Sequence, residues 1–220
     1  MHYPECDLIA RYPAEQTIGF TSTAAEWGIF SNFAKTPMVV NDIEFACVEQ
    51  MFHYIHLNNE TERAAYLKLT PNMGLKMKAK AFEKRGVERS DWREIAVDVM
   101  RFCLNHKYAS SEAFRKELKR SNGRYIVEDE SNRHKRPDSW GAILDTATNE
   151  YYGKNIMGRL LMELREVGEL KYEIPHLAAC VTSLPSPPRG GLCYIKASAT
   201  PSRPKNAPLN CKNDPGGRSI

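Results

Sequence analysis

The chain has 220 residues, of which 42% are hydrophobic and 26% charged. That is the size of one ordinary domain and the balance of a globular chain, not a disordered one. No run approaches the roughly 20 apolar residues that span a bilayer. The start, MHYPECDLIARYPAEQ, has acids and prolines where a signal peptide needs a basic start and an apolar centre. The net charge of +4 comes from the tail: from Lys171 onward seven Lys/Arg face two acids, leaving 24 basic and 25 acidic residues in 1–170. Basicity therefore says little about what the folded part binds.

In chain order, Phe20–Ser22 reads as a short strand. Met38–Val40 and Ile43–Phe45 read as a hairpin joined at Asn41-Asp42. Ala46–Leu57 reads as a helix, with Phe45, Val48, Phe52 and Ile55 forming one apolar stripe. Thr61–Leu69 is helical, and Thr70-Pro71 is an N-cap and first-turn pair for a helix to about Arg85. Ser90 caps a helix through Tyr108, with Trp92, Ile95, Val99 and Phe102 on one face. Ser111–Arg120 follows, closed by Asn122-Gly123. Tyr125–Val127 is a strand, 128–153 mostly loop, and Asn155–Val167 a last helix with Leu160, Leu161, Leu164 and Val167 inward. The expected fold is α+β, mainly α: a compact single domain over 18–169 with a few short N-terminal strands, preceded by an arm (1–17). Eight of the thirteen prolines lie in 171–220, so 170–220 reads as a disordered Pro-rich tail.

Six cysteines at 6, 47, 103, 180, 193 and 211 form no C-x-x-C pair. This argues against a disulfide framework or structural zinc and for a reducing intracellular compartment, cytoplasmic or nuclear. Phosphate-loop, dinucleotide, zinc-protease and nucleophile-elbow motifs are absent. His53 and His56, with Cys47 nearby, lack a third metal ligand at suitable spacing, so they read as partly exposed polar side chains.

Glu49 lies about 40° around its helix from Phe45, at the edge of the apolar stripe. Desolvation there would raise its pKa toward the range useful for proton transfer. The plainer reading is a carboxylate reaching solvent or a backbone donor. Trp27-Gly28 and Trp140-Gly141 each combine a stacking face with a close backbone approach, and Asp138 adds a carboxylate before the second. Gly153, Asn155 and Gly158 open the last helix, where free N–H groups suit a phosphate or ribose. Lys76, Lys80 and Lys84 share a helix face, with Lys78 beside it. They suit a pyrophosphate or an imine-forming lysine, or are merely a solvated face.

Taken in order, GFTSTAAEWGIFSNF, VEQMFHY, PNMGLKMK, SDWREIAVDVM…NHKY, IVE, DSWGA and GKNIMGRLLMELRE resemble the NADAR superfamily, the YbiA-like N-glycosidases, over roughly 18–167. The resemblance implies a mostly helical domain that hydrolyses a ribosyl N-glycosidic bond without metal or redox cofactor. Its substrate would be ADP-ribose on the guanine amino group of nucleic acid, or phosphoribosyl-amine intermediates of riboflavin synthesis. It also implies Ser31, Asn32 and Phe33 at the ribose and phosphate, Glu49 as acid/base carboxylate, Trp92, Trp140 and Gly141 walling the pocket, and Gly153 and Asn155 on its far side. Asp138 would assist at the leaving base, with Lys76 or Lys80 as a possible imine lysine.

Two departures favour the ADP-ribose branch. Gln50 stands where riboflavin-type members carry a histidine, and Trp140-Gly141-Ala142-Ile143 replaces their acidic W-G-D-G run. The family aspartate usually lies three residues before the tryptophan; here that place is Pro137, and a one-residue gap would bring Asp138 into register. The alternatives are a non-catalytic ADP-ribose or NAD module and an interaction protein working through its tail. No membrane partner is expected.

Overall fold

The computed structural model describes residues 8–70, 72–133, 140–177 and 181. Its strands are short and form three small sheets. In the first, β1 (Ala10–Pro13) and β6 (Ile143–Asp145) flank β7 (Glu150–Gly153), all antiparallel. In the second, β2 (Thr17–Phe20) lies parallel to β5 (Tyr125–Glu128). The third is the hairpin of β3 (Met38–Val40) and β4 (Ile43–Phe45). Asn41 and Asp42 turn it with φ of 49° and 64°, the left-handed pair that a two-residue hairpin needs and that these side chains tolerate.

The helices are α1 (Val48–His56), α2 (Glu60–Leu67), α3 (Met73–Ala79), α4 (Phe82–Arg85), α5 (Trp92–Ser110), α6 (Glu112–Arg120) and α7 (Ile156–Val167). The domain is therefore α+β and mainly helical, as the sequence implies. Phe30, Phe45, Met51, Ile55, Val99, Cys103, Phe114 and Leu160 meet in one core.

α1 departs from a simple amphipathic helix. Every residue but His53 is buried, because the helix packs against α5 as well as α2 and α3. Its polar side chains are thus enclosed and must find partners inside. Gln50 does so by accepting from the Ala46 N–H at 2.9 Å and donating to the Leu67 carbonyl at 3.2 Å.

Several local expectations shift. The first strand is Thr17–Phe20, set by pairing with β5. Asn72, not Thr70, caps α3, its side chain accepting from the Gly74 N–H at 2.7 Å. The predicted helix to Arg85 breaks at Lys80–Ala81 into α3 and α4. Asp91 replaces Ser90 ahead of α5 and makes no side-chain cap, since Arg89 holds its carboxylate at 2.7 Å. The stretch read as loop contains β6 and β7, too short to show periodicity and dependent on β1 from the other end of the domain. Val167 is 61% exposed, one turn past the last inward position of α7.

The packed region also reaches beyond the boundaries read from composition. β1 lies in the segment read as an arm. After α7, Asn105 brackets the Leu170 backbone at 2.8 and 2.9 Å, and Arg101 holds the Lys171 carbonyl at 3.0 Å. Residues 172–177 are packed as well, the Pro175 carbonyl accepting from the Arg89 guanidinium at 3.0 Å; beyond them, buried Val181 is the one tail residue among the described residues. Among the described residues no helix is long and apolar enough to cross a membrane.

Candidate active site

A cavity of about 1080 Å³ opens beside the N-terminal half of α1. One wall is the segment from Ile29 to Lys35, which begins within a 3-10 turn at Gly28–Phe30; Glu49, Phe52 and His53 of α1 form the floor. Thr21–Thr23 enter from the end of β2, and Asn72, Lys76, Met77 and Lys80 from α3 and its cap. Glu128, Glu130 and Trp140 close the remaining side. Of the residues singled out in the sequence, the fold brings Ser31, Asn32, Phe33, Glu49, Lys76, Lys80 and Trp140 to this cavity.

Glu49 occupies the first turn of α1 and is 5% exposed. Free N–H groups at a helix N-terminus favour a carboxylate beside them. The Glu49 N–H is itself taken by the Asn32 carbonyl at 3.0 Å, which fixes the Ser31–Phe33 wall to the helix start. Its Oε1 lies 3.2 Å from Nε2 of His53. The Oδ1 of Asn32, a cavity-lining residue, is buried with no hydrogen-bond partner among the described residues.

Two further carboxylates were not singled out from sequence. Glu130, 1% exposed, accepts from the Gly141 N–H at 3.3 Å, and half-buried Glu128 ends β5. A period of two puts residues 128 and 130 on one face of an extended chain, so an acid-x-acid step after an apolar strand was the available signal. Trp140 packs edge-on to Phe52 with ring centroids 5.8 Å apart. Glu49 and Trp140 thus share the cavity.

Lys107, in the NHKY stretch of α5, is another residue that the sequence reading passed over. It is 0% exposed. Its ammonium donates to the carbonyls of Ile29 at 2.6 Å and Ser31 at 3.0 Å and lies 4.6 Å from the centre of the Phe114 ring. Burial lowers its pKa to about 7, because an ammonium loses hydration there and carbonyl dipoles restore only part of it.

Other predicted site residues lie behind the wall. Trp92 stacks on His56 at 3.9 Å and 14°, supporting α1 from beneath. Of the two histidines expected to be partly exposed, His53 is half-buried and faces the cavity, whereas His56 is buried, with Nε2 3.0 Å from Glu88 Oε2. Burial is the main reason His56 drops to about pKa 4, with the Glu88 hydrogen bond opposing it. Asn155 is fully buried; its Nδ2 donates to the Ile126 carbonyl at 2.8 Å. The N–H groups that looked available to a phosphate at the start of α7 serve the chain itself: those of Asn155 and Met157 donate to the carbonyls of Gly141 and Trp140 at 3.0 and 2.9 Å. Buried Gly153 packs on Gly141 and Ala142.

The Trp-Gly glycines likewise admit protein backbone. A Cβ at Gly28 would stand 2.3 Å from the Thr23 carbonyl oxygen, and one at Gly141 2.2 Å from that of Glu128. Trp27 is a core residue, stacked on Phe30 and covered by the Arg120 guanidinium at 3.8 Å. Lys78 and Lys84 are exposed and do not line the cavity. Asp138 lies outside the described residues.

The NMR structure of the E. coli protein YbiA superposes with a TM-score of 0.57 at 28% identity, covering 73% of this chain and 91% of that one. Proteins named N-glycosidase YbiA from Escherichia coli (strain K12), Shigella flexneri and Shigella sonnei (strain Ss046) are 30% identical over 151 residues, 68% of this chain and 86% of theirs. Residues 19–167 match the family described as the NADAR domain. That match spans the cavity walls and the core behind them, and the chain belongs to the NADAR domain family.

Proposed function

We propose that this protein hydrolyses a ribosyl N-glycosidic bond, removing ADP-ribose from the guanine amino group in nucleic acid. The observation that carries the reading is the enclosed carboxylate of Glu49 sharing one cavity with the indole of Trp140. Breaking this bond develops positive charge on the ribose and negative charge on the departing nitrogen. A carboxylate beside the sugar and a proton for the amine answer those two demands.

In the proposed reaction Glu49 accepts a proton from water as its oxygen bonds to the anomeric carbon. The carbon–nitrogen bond breaks, and the amine nitrogen takes a proton, assigned to Asp138. Trp140 provides a flat apolar wall, and Lys35, Lys76 and Lys80 give the cavity a basic side for a pyrophosphate. Water is the only co-reactant, so no cofactor enters. The buried free thiols Cys47 and Cys103 suit a reducing, intracellular setting.

Two features favour the larger substrate over a phosphoribosyl-amine. The cavity volume of about 1080 Å³ is at the top of the usual range for small-ligand pockets. Gln50, where riboflavin-type members resemble one another in a histidine, is spent on the Ala46, Leu67 and Leu69 backbone and offers no base.

The test is mass spectrometry of an oligonucleotide ADP-ribosylated on guanine after incubation with the protein. Wild type should restore unmodified guanine, and Glu49→Gln should slow this on the order of 100-fold or more. Release of ribose phosphate from riboflavin intermediates alone, or saturable ADP-ribose binding without product, would replace the proposal by one of those alternatives.

A further inference from the structure

Glu49 and His53 lie four residues apart on α1, a spacing that brings side chains together on a helix face. On an exposed face such a pair contributes little. Here the side chains are only 7% and 12% exposed, both line the cavity, and Nε2 of His53 stands 3.2 Å from Oε1 of Glu49. A carboxylate accepts, so the ring must carry its proton on Nε2. The other ring nitrogen, Nδ1, is buried with no hydrogen-bond partner among the described residues. A proton there would be a buried donor with no acceptor, which is costly. The geometry therefore favours one tautomer, with the ring donating from Nε2 to the Glu49 carboxylate.

The surroundings hold the ring in that pose. Phe52, Tyr66 and Phe82 meet it edge-on at 5.1, 6.3 and 6.4 Å. Two polar neighbours of the ring are engaged elsewhere: the Tyr66 hydroxyl donates to the Leu75 carbonyl at 3.0 Å, and His56 pairs with Glu88.

We propose that His53 is a positioning residue for Glu49: its Nε2–H holds the carboxylate in the orientation that takes the proton of the attacking water. This rests on the reading of Glu49 as the acid/base carboxylate. The packing around the ring is apolar, so His53→Leu keeps the shape and removes the hydrogen bond. His53→Gln keeps a donor of similar reach without imidazole chemistry.

Turnover of the ADP-ribosylated oligonucleotide should fall on the order of 100-fold in kcat for His53→Leu, the scale of a misplaced reacting group, with KM within about threefold. His53→Gln should recover most of that loss, and Glu49→Gln/His53→Leu should be no slower than Glu49→Gln. Wild-type kcat in His53→Leu, or equal losses in the Leu and Gln variants, would overturn the proposal. A second readout needs no substrate: nitrogen-15 NMR of the wild-type histidines should show residue 53 protonated on Nε2, with the preference lost in Glu49→Ala. Protonation on Nδ1, or indifference to Glu49→Ala, counts against the pairing. If wild type turns over no ribosyl N-glycoside while the tautomer is as described, the functional reading fails and the pairing stands.

Discussion

The ammonium of Lys107 donates to the carbonyl of Ser31 at 3.0 Å, joining the last turns of α5 to a cavity wall far earlier in the chain. One residue further, the Asn32 carbonyl takes the Glu49 N–H. A buried cation behind the wall and a buried carboxylate in front of it are thus tied to adjacent peptide units. The Ser31–Phe33 segment has no regular secondary structure of its own, so these bonds define where it stands.

Replacing Lys107 with Met should therefore loosen that wall. The Ser31 carbonyl keeps its bond from the Ala34 N–H at 3.1 Å, whereas the Ile29 carbonyl is left buried. The expected loss is roughly 1–3 kcal/mol in urea unfolding, with faster amide exchange at Ser31–Phe33. An unchanged urea midpoint would show that the ammonium contributes no more than an apolar side chain of its length.

Gly141→Ala should destabilise the fold by about 1–3 kcal/mol. The new methyl would be 2.2 Å from the Glu128 carbonyl oxygen and 2.7 Å from the Glu130 side chain, neither a free chain end. Because both neighbours belong to the carboxylate side of the cavity, ligand affinity should fall together with the melting temperature. A stable variant with normal affinity would contradict the packing described.

Lys76 and Lys80 separate two chemistries. If they hold a pyrophosphate, neutralising each to Gln should raise KM roughly two- to fivefold, most at low salt, with kcat nearly unchanged. If either forms an imine, its loss should abolish turnover, and borohydride should trap ribose on the wild-type chain. We expect the first pattern, since Lys80 is exposed and Lys76 half-buried, where little burial acts to make an amine nucleophilic.

His56 makes stability sensitive to acid. Its folded pKa of about 4 lies below the ordinary 6.5, so the unfolded chain binds the extra proton first. Its contribution is whole above about pH 6.5 and is lost as pH falls through 4. Urea midpoints of the wild type should therefore decline between pH 7 and 4 more steeply than those of His56→Gln, which cannot take up that proton. Parallel declines would place the acid sensitivity elsewhere.

The elements read most surely from sequence are those whose causes are local. Asn41-Asp42 favours a left-handed turn whatever surrounds it, and the stripe through Val48, Phe52 and Ile55 marks α1. Glu49 was visible as an acid at the edge of that stripe. β6 and β7 were not, because strands of three or four residues depend on a distant partner more than on their own pattern. Lys107 gave no signal of its own, since nothing beside it in the chain announces that carbonyls from residues 29 and 31 will enclose it. The start of α7 misled for a related reason: free N–H groups were legible there, but the Trp140 and Gly141 carbonyls that consume them were not.

The amino-acid order by itself settled the helical character, the hairpin turn and the family likeness, and it marked Glu49 as a candidate carboxylate. These rest on backbone preference and hydrophobic period, which act within a few residues. Which groups face one another was decided only when the chain closed on itself: Glu49 with His53 at the cavity floor, Trp140 across from the Ser31 wall, Lys107 beneath it, and Trp92 and Asn155 turned inward as supports. Burial drives that closure without direction, and the hydrogen-bonding needs of the polar groups it encloses then select the partners.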